Sequence, residues 1–555
     1  MSLSRRPSAP ARTRRRAVAL AAQVGLTVLA GVLAVGVVAP DPTGDDATSR
    51  GATVRAAALA PAALAPAAAG AGPGAVAPSA RKARRPNIVL ITTDDQADTD
   101  LSAMPLTRRL LGGRGVDFVN AISPHPLCCP ARAEIFTGEY AHNNGVKHND
   151  GPFGGHARFA AYRDGRNLRG NLGTWMRQAG YRTGFTGKML NGYTARSPRP
   201  RGWDWWDPTT ERTYAYTRTT FLDDGRPVTP KGYATDVLAR RSSAWVREQA
   251  PAAKPFFLWV SHVAPHEAIV GGKPVGYPFS AERHDRLHHD ARPPSMRKPS
   301  YNEADVSDKP RYSGIGAKVP EAEVLRTHRQ RLRSLAAVDE ANASILRTLE
   351  RTGELGRTLV VFTSDNGFLL GEHRLRGKNQ VYDENLQVPL LVRGPGVPSG
   401  ETSTALAETV DLAPTILDAA GALEDVRRSG RVDGRSLLDL FRGDRARPLS
   451  STVLIQAGTK RRAAVRGNDG WAFRGVTTAR YTYAEHFTGQ SELYDREVDP
   501  HELDNLLELR SGDLRRGARG YADVLDALRS RLRDLRSCQG PAECDRRYPP
   551  LPDPR

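Results

Sequence analysis

Residues 87–95 read NIVLITTDD, and this stretch decides the fold class. After Asn87, its next six residues are apolar or β-branched and show no helical period. That is the texture of a strand buried on both faces of a parallel sheet. Runs of the same kind recur at 256–261 (FFLWVS), 358–363 (TLVVFT) and 388–392 (VPLLV). Helical periods lie between them. Leu168, Leu172, Trp175, Met176 and Ala179 share one helix face, and Leu325, His328, Leu332, Leu335, Val338, Ile345 and Leu349 predict a longer helix. Alternation of this kind predicts an α/β fold, with a large, mixed but mostly parallel sheet flanked by helices.

Two of the strands run into oxygen-bearing pairs. Asp94-Asp95 follows the first, and Asp365-Asn366 follows the strand through Phe362. In open α/β sheets, ligands bind beyond the carboxyl ends of the strands. Each pair could simply cap a helix or form an Asx-turn. The two together could also converge on one hard cation.

The remaining composition bounds the problem. The chain has 555 residues, a formal charge of +19 and four cysteines. Four cysteines cannot staple a chain of this length, which rules out a small disulfide scaffold. Residues 1–85 hold twelve basic and three acidic residues, so the leader carries +9 and the body +10. A body with that mild bias suits an anionic substrate and lacks the dense basic stripe of a nucleic-acid binder. Arg12 to Arg16 are followed by an uncharged Ala/Val/Leu-rich run over 17–40. That pattern predicts export, either with a cleaved signal or with a retained N-terminal membrane anchor. Residues 41–85 then read as an Ala/Pro-rich basic linker.

From about 450 the texture changes to short strands at 451–455, 471–477, 480–483 and 491–494, followed by a basic amphipathic helix carrying Leu525, Leu528, Leu532 and Leu535. This predicts a small C-terminal α+β subdomain. Cys538 and Cys544, six positions apart in a Gly/Pro loop, suit a local disulfide in an exported protein.

The chemistry concentrates at Cys128-Cys129-Pro130-Ala131-Arg132. A proline is tolerated in the first turn of a helix, where its missing N–H would be unpaired. A helix starting here presents free N–H groups and a positive dipole end to Cys128. Arg132 adds a fixed charge one turn along, which makes a site for an anion. A buried pair of structural cysteines fits these five residues equally well.

The segment matches C-x-P-[SA]-R, the signature of the formylglycine-dependent type I sulfatases of the alkaline-phosphatase-like superfamily, and the sequence resembles that family over roughly 86–510. RPNIVLITTDDQ (85–96), TGK (186–188), SHVAPH (261–266), SDNG (364–367), VPLLVRGPG (388–396) and ELYDREVDPHELDNL (492–506) occur in the family's order. The double cysteine and the DDQ are nearest to the N-acetylglucosamine-6-sulfatase-like branch. On this resemblance, 1–40 is the signal or anchor, 41–85 the linker, 86–450 the catalytic domain and 451–555 the C-terminal subdomain and tail.

The resemblance implies a mechanism. Cys128 is oxidised by a formylglycine-generating enzyme to formylglycine (3-oxoalanine), while Cys129 stays a thiol. One hydroxyl of the hydrated aldehyde attacks sulfur and the other expels sulfate, so no second attack on sulfur is needed. Asp94, Asp95, Asp365 and Asn366 resemble the ligands of one Ca2+, with an oxygen of modified Cys128 completing the set. Arg132 resembles the residue that orients the diol. Lys188 and Lys378 resemble the pair that holds sulfate oxygens or protonates the leaving group, and His266 resembles the histidine on the leaving-group side.

The pattern departs in one place. Many arylsulfatases place a histidine two residues after the lysine that Lys188 matches, and here Met189, Leu190 and Asn191 follow it. His142, His262 and His373 are the candidates for the base or for substrate contact. Trp203, Trp205 and Trp206 could stack on a sugar or pack against the sheet. Residues 270–320, rich in Pro, His, Lys and Arg, could rim a pocket or form a surface insertion. The expected substrate is a sulfated carbohydrate or an aryl sulfate. A phosphonate or phosphate ester hydrolase on the same fold is the alternative. An inactive glycan-binding relative would lack metal ligands or nucleophile, and all of them are present.

Overall fold

The strand β1 (Asn87–Thr93) is buried along its whole length because it lies at the centre of the main sheet. The structure is a computed structural model that describes residues 85–310, 314–444, 451–459 and 470–555. The export segment and nearly all of the linker lie outside the described residues. Among the described residues, no helix is long and apolar enough to cross a membrane.

Among the described residues the main sheet has ten strands. After β1 come β2 (Val116–Phe118), β3 (Arg182–Lys188), β4 (Trp205–Thr209), β5 (Phe221–Asp223), β6 (Arg226–Val228), β7 (Phe256–Ser261), β8 (Thr358–Ser364), β9 (Leu390–Arg393) and β10 (Glu401–Ser403). Their order across the sheet is β10-β2-β9-β8-β1-β7-β3-β4-β5-β6. β1 pairs in parallel with β8 on one side and β7 on the other.

The helices α1 (Cys128–Thr137), α2 (Ala234–Gln249) and α3 (Glu321–Arg351) explain the uninterrupted apolar run of β1. Ile88 and Leu90 share a core with Ile135 and Phe136 of α1. Val89 and Ile91 share the other core with Val237 of α2 and Leu335, Val338 and Ile345 of α3. Both faces are covered, so no polar alternation is required. Each such side chain contributes roughly 1.5–3 kcal/mol on burial.

The structure departs from the sequence expectations in several places. β9 runs antiparallel to β8, so the run at 388–392 contributes a reversed strand to the expected mixed sheet. The apolar set from Leu168 to Ala179 spans two short helices, Arg166–Arg169 and Leu172–Gln178, because Asn171 starts the second by accepting the Gly173 N–H at 3.0 Å. β3 was not expected as a strand, since its two glycines disguise it. A Cβ at Gly187 (φ 105°) would stand 1.9 Å from the Ser261 carbonyl oxygen, so only glycine lets β3 approach β7 here. Trp203 and Trp206 are core residues packed on Phe185, at 5.6 and 4.7 Å between ring centroids, which overturns sugar stacking for this pair. Trp205 stacks on Trp245 and is level with Gly184, away from the Lys188 end of β3. Within 270–320, Arg283 bridges Asp236 of α2 and Glu340 of α3, while Ser295 and Glu303 bond to Leu370 and His373.

A second, antiparallel sheet follows in the order β11 (Val453–Gly458), β12 (Trp471–Thr477), β13 (Tyr481–His486) and β14 (Ser491–Asp495). Leu454, Val476 and Leu493 pack on Leu525, Leu528 and Leu532 of α4 (Ala522–Leu535). Val453, Ile455 and Phe473 pack on Leu369, Tyr382 and Leu386 of the main body. The alternation along β11 therefore joins the helix to the body through the sheet. Cys538 and Cys544 form the expected disulfide.

Candidate active site

The register of the central strands builds the site. Thr93 of β1 lies opposite Ser364 of β8, and Ser261 of β7 lies opposite Gly187 of β3. Asp94-Asp95, Asp365-Asn366, His262 and Lys188 therefore leave the sheet at one edge, the edge that binds ligands in such folds. Consecutive side chains of an extended strand point to opposite faces. Asp95 escapes that rule by adopting a left-handed conformation (φ 70°), which aspartate tolerates better than most residues. Both carboxylates thereby reach the Cys128 Sγ, with Oδ1 of Asp94 at 3.2 Å and Oδ1 of Asp95 at 3.7 Å.

Cys128 opens α1, a helix whose ten residues are all buried. Leu127 before it is extended, and the free N–H of Cys129 donates to Asn149 Oδ1 at 2.8 Å. Lys378 reaches the site from the loop after β8 and donates from Nζ to Cys128 Sγ at 2.7 Å and to Asp95 Oδ1. Lys188 donates to Asp94 Oδ2. Arg132 donates from Nε to Asp365 Oδ2 at 2.8 Å and from Nη1 to the Lys188 carbonyl at 2.9 Å and to Ser261 Oγ at 2.5 Å. It therefore braces one carboxylate and the end of β3. His266 approaches Asp95 Oδ2 with Nε2 at 3.8 Å, and its Nδ1 faces the Glu267 carbonyl at 2.8 Å.

The electrostatics follow from this packing. Burial favours the protonated form of Asp94, but Lys188, with His266, Arg132 and Lys378, holds its carboxyl well below the usual range. Burial and the charge of Asp94 push Asp365 up to about 6, against Arg132. Burial and Asp94 also push the Cys128 thiol up. Burial favours neutral Lys378, yet Asp95 and Cys128 keep it charged. Burial lowers His266 to about 4 against the pull of Asp94 and Asp95.

The donor set fits a hard cation. Asp94, Asp95, Asp365 and Asn366 offer side-chain oxygens only, and Asn366 Oδ1 is buried with no hydrogen-bond partner while its Nδ2 is used on Asp95 and Gly367. Ligand atoms of Asp94, Asp95, Cys128 and His266 lie within 4.8 Å of one another. Three carboxylates face three fixed cations, Arg132, Lys188 and Lys378, so the side chains balance. A bound divalent cation would leave the site positive, ready for an anionic ester.

The other candidate histidines are placed elsewhere or less directly. The ring of His142 faces the Cys538 carbonyl and Gln456, next to the C-terminal disulfide. His373 pairs with Glu303 at 2.7 Å and stacks on Tyr382. It sits with Glu384 and Glu502 in a second acidic group, where Lys298 neutralises Glu384 at 2.6 Å. His262 follows β7, donates its backbone N–H to Thr92, and is lowered to about 4 by burial.

Two contributors escaped the sequence reading. Ser261 ties the Lys188 carbonyl to Arg132. Tyr214 lies 4.5 Å from the His266 ring and 5.1 Å beneath Lys188 Nζ, and donates its hydroxyl to Asn191 at 2.8 Å. No local pattern marks a tyrosine in a polar loop as part of a site. Lys188, Asn191, Tyr193, Glu211, Thr213 and Tyr214 line a cavity of about 250 Å³ beside the cluster.

A mixed sheet that gathers a helix-initial cysteine, paired carboxylates and lysines at its carboxyl edge defines a hydrolase of anionic esters in the alkaline-phosphatase-like class. The chain belongs to the sulfatase family and is a sulfuric ester hydrolase: the Sulfatase family model matches residues 86–422, and the model for the N-sulphoglucosamine sulphohydrolase C-terminal region matches 371–537. Human N-acetylglucosamine-6-sulfatase is 31% identical over 386 residues, covering 67% of each chain. The extracellular sulfatase SULF-1 homolog of Drosophila melanogaster is 35% identical over 377 residues, which cover 65% of this chain and 32% of that longer relative. A structure solved with its substrate D-glucosamine-2-N,6-O-disulfate shares the fold at a TM-score of 0.63 and 23% identity, over 81% of this chain and 97% of the other.

Proposed function

We propose that the chain is an exported sulfatase that removes sulfate from glucosamine-type sugars, through a formylglycine made from Cys128 and a calcium ion held by Asp94, Asp95, Asp365 and Asn366. The observation that carries this reading is the simultaneous contact of Cys128 with Asp94, Asp95 and Lys378 at the start of a buried helix. When bound, the ion would lower the pKa of the hydrated side chain and hold a sulfate oxygen. Lys188 and Lys378 would hold the remaining sulfate oxygens, each already aimed at the cluster. Arg132 keeps Asp365 and the end of β3 in register with Cys128. His266 faces the same cluster through Nε2, on the side this reading gives to the leaving alcohol.

The cavity beside Lys188 and Tyr214 is the proposed seat of the sugar. Export is supported by the Cys538–Cys544 disulfide and by the extracellular relative. N-terminal sequencing of the mature protein reads whether 17–40 is cleaved or retained. We read 86–450 as the catalytic domain and 451–555 as the C-terminal subdomain.

The test uses protein matured in the presence of a formylglycine-generating enzyme, with the Cys128 peptide checked by mass. Release of inorganic sulfate from N-acetylglucosamine 6-sulfate should require the aldehyde. It should disappear with a chelator and return with calcium. An active unmodified thiol, or faster turnover of a matched phosphonate ester, would overturn the proposal.

A further inference from the structure

The segment that leaves the catalytic helix is held by the far C-terminus. The Cys538 carbonyl accepts from His142 Nε2 at 2.9 Å and from Asn143 Nδ2 at 2.8 Å. Asp433 accepts from the Tyr140 N–H at 2.8 Å, from Asn143 Nδ2 at 2.9 Å and from the Gly540 N–H at 2.9 Å. One carboxylate thus ties the disulfide loop to the residues that follow α1. Glu134 of α1 accepts the Ala141 N–H at 3.1 Å, which couples that segment back to the helix beginning at Cys128.

The approach to Cys128 is held from the same side. In β11, Gln456 donates its N–H to the Pro124 carbonyl at 2.8 Å, and its side chain meets His142 Nδ1 at 2.8 Å. His142 therefore joins β11, the disulfide loop and the catalytic segment. With a carbonyl at Nε2, the ring carries its proton there, and Nδ1 accepts from the Gln456 amide. Cys538 and Cys544 are both buried, and the loop they close lies beyond residue 537, where both matching family models have ended.

We propose that His142 and the Cys538–Cys544 loop act as a positioning clamp for Cys128. The loop presents the Cys538 carbonyl, His142 reads it, and the bracketed stretch from Pro124 to Asn143 holds the helix start against Asp94 and Lys378. Displacements of well under 1 Å at a reacting centre are costly, and a 1 Å misplacement can lose about 10²-fold in rate. The clamp acts on turnover rather than on substrate affinity, because none of its residues lines the cavity beside Lys188.

The proposal rests on the sulfatase reading for its assay, so one readout is independent of activity. Three variants are matured and compared with the parent: His142→Leu, His142→Gln, and the double change Cys538→Ser with Cys544→Ser. Turnover of 4-nitrophenyl sulfate is measured per formylglycine, well below each melting point. The leucine and double-serine variants should lose about tenfold in kcat with KM unchanged. Glutamine, which supplies both a donor and an acceptor, should restore most of it. A crystal structure of His142→Leu, in which the disulfide remains, should show Cys128 displaced from Asp94 and Lys378 by more than about 0.5 Å. An unmoved Cys128, or parental kcat with only a lowered melting point, would reduce the loop to a staple and overturn the clamp. If the parent releases no sulfate, the functional reading fails and the displacement alone decides the clamp.

Discussion

Lys378 Nζ lies 2.7 Å from Cys128 Sγ, although 250 residues separate them in the chain. The same ammonium also contacts Asp95, so one cation touches both Cys128 and a candidate metal ligand. A preorganised donor of this kind is effective because it needs no rearrangement when charge develops.

Replacing Lys378 should therefore strike turnover. Lys378→Met should lower kcat by about 10²–10³-fold, the range for losing one preorganised donor to a developing oxyanion. Steady-state kinetics of matured protein decide the matter. A variant with parental kcat would remove Lys378 from the chemistry.

Tyr214 should act through its ring more than its hydroxyl. Tyr214→Phe keeps the face beneath Lys188 and beside His266 and gives up only the bond to Asn191. Its kcat/KM should stay within about threefold of the parent. Tyr214→Ala removes the face, and a cation–π contact of about 0.5–2 kcal/mol implies a loss of roughly 2–30-fold. Equal effects of the two changes would contradict this assignment.

Burial and neighbouring Asp411 push Glu408 up to about 8, while Tyr140 donates its hydroxyl to it at 2.7 Å. The folded chain then keeps a proton that an unfolded glutamate releases near pH 4.5. Stability should fall as pH rises above 4.5, on the order of 1 kcal/mol per pH unit, and level off above about 8. Glu408→Gln keeps an acceptor for Tyr140 and cannot ionise. Its melting-point advantage over the parent should widen from pH 5 to pH 8 and then stay constant. A difference that does not vary with pH would show that Glu408 does not carry this linkage.

Cys128 and Cys129 are both buried in the folded chain, inside a helix with no exposed residue. Maturation should therefore precede folding. A formylglycine-generating enzyme should convert an unfolded peptide spanning 120–140 and leave the folded, unconverted protein unchanged. Native unconverted protein should also resist an aromatic disulfide reagent until denatured. Rapid conversion of the folded form would mean that α1 opens readily.

Much of this is legible in the sequence. β1, β7, β8 and α3 were readable because their apolar patterns leave no polar face or follow a clear 3.6-residue period. The motif residues at Cys128, Asp94, Asp95, Lys188, Asp365, Asn366 and Lys378 were readable because they recur in a known order, and the structure gathers them at one sheet edge. β3 was missed because Gly184 and Gly187 weaken its pattern, although the missing side chain at Gly187 is what admits β7 and that at Gly184 makes room for Trp245. The tryptophans of 203–206 read equally as core or ligand, since an aromatic run says nothing about which side of a sheet it faces.

The sequence by itself determined the α/β class, the place of Cys128 in the family's motif order and the local disulfide, because these depend on residue type and on spacing within short segments. Only the tertiary structure decided that Arg132 braces Asp365 and the end of β3, that Tyr214 walls Lys188 and His266, and that His142 belongs to the C-terminal loop rather than to the substrate side. Those roles depend on strand register and on contacts between residues tens to hundreds of positions apart. A left-handed turn at Asp95 and a glycine at 187 set that geometry, and no local pattern encodes where the partners will be.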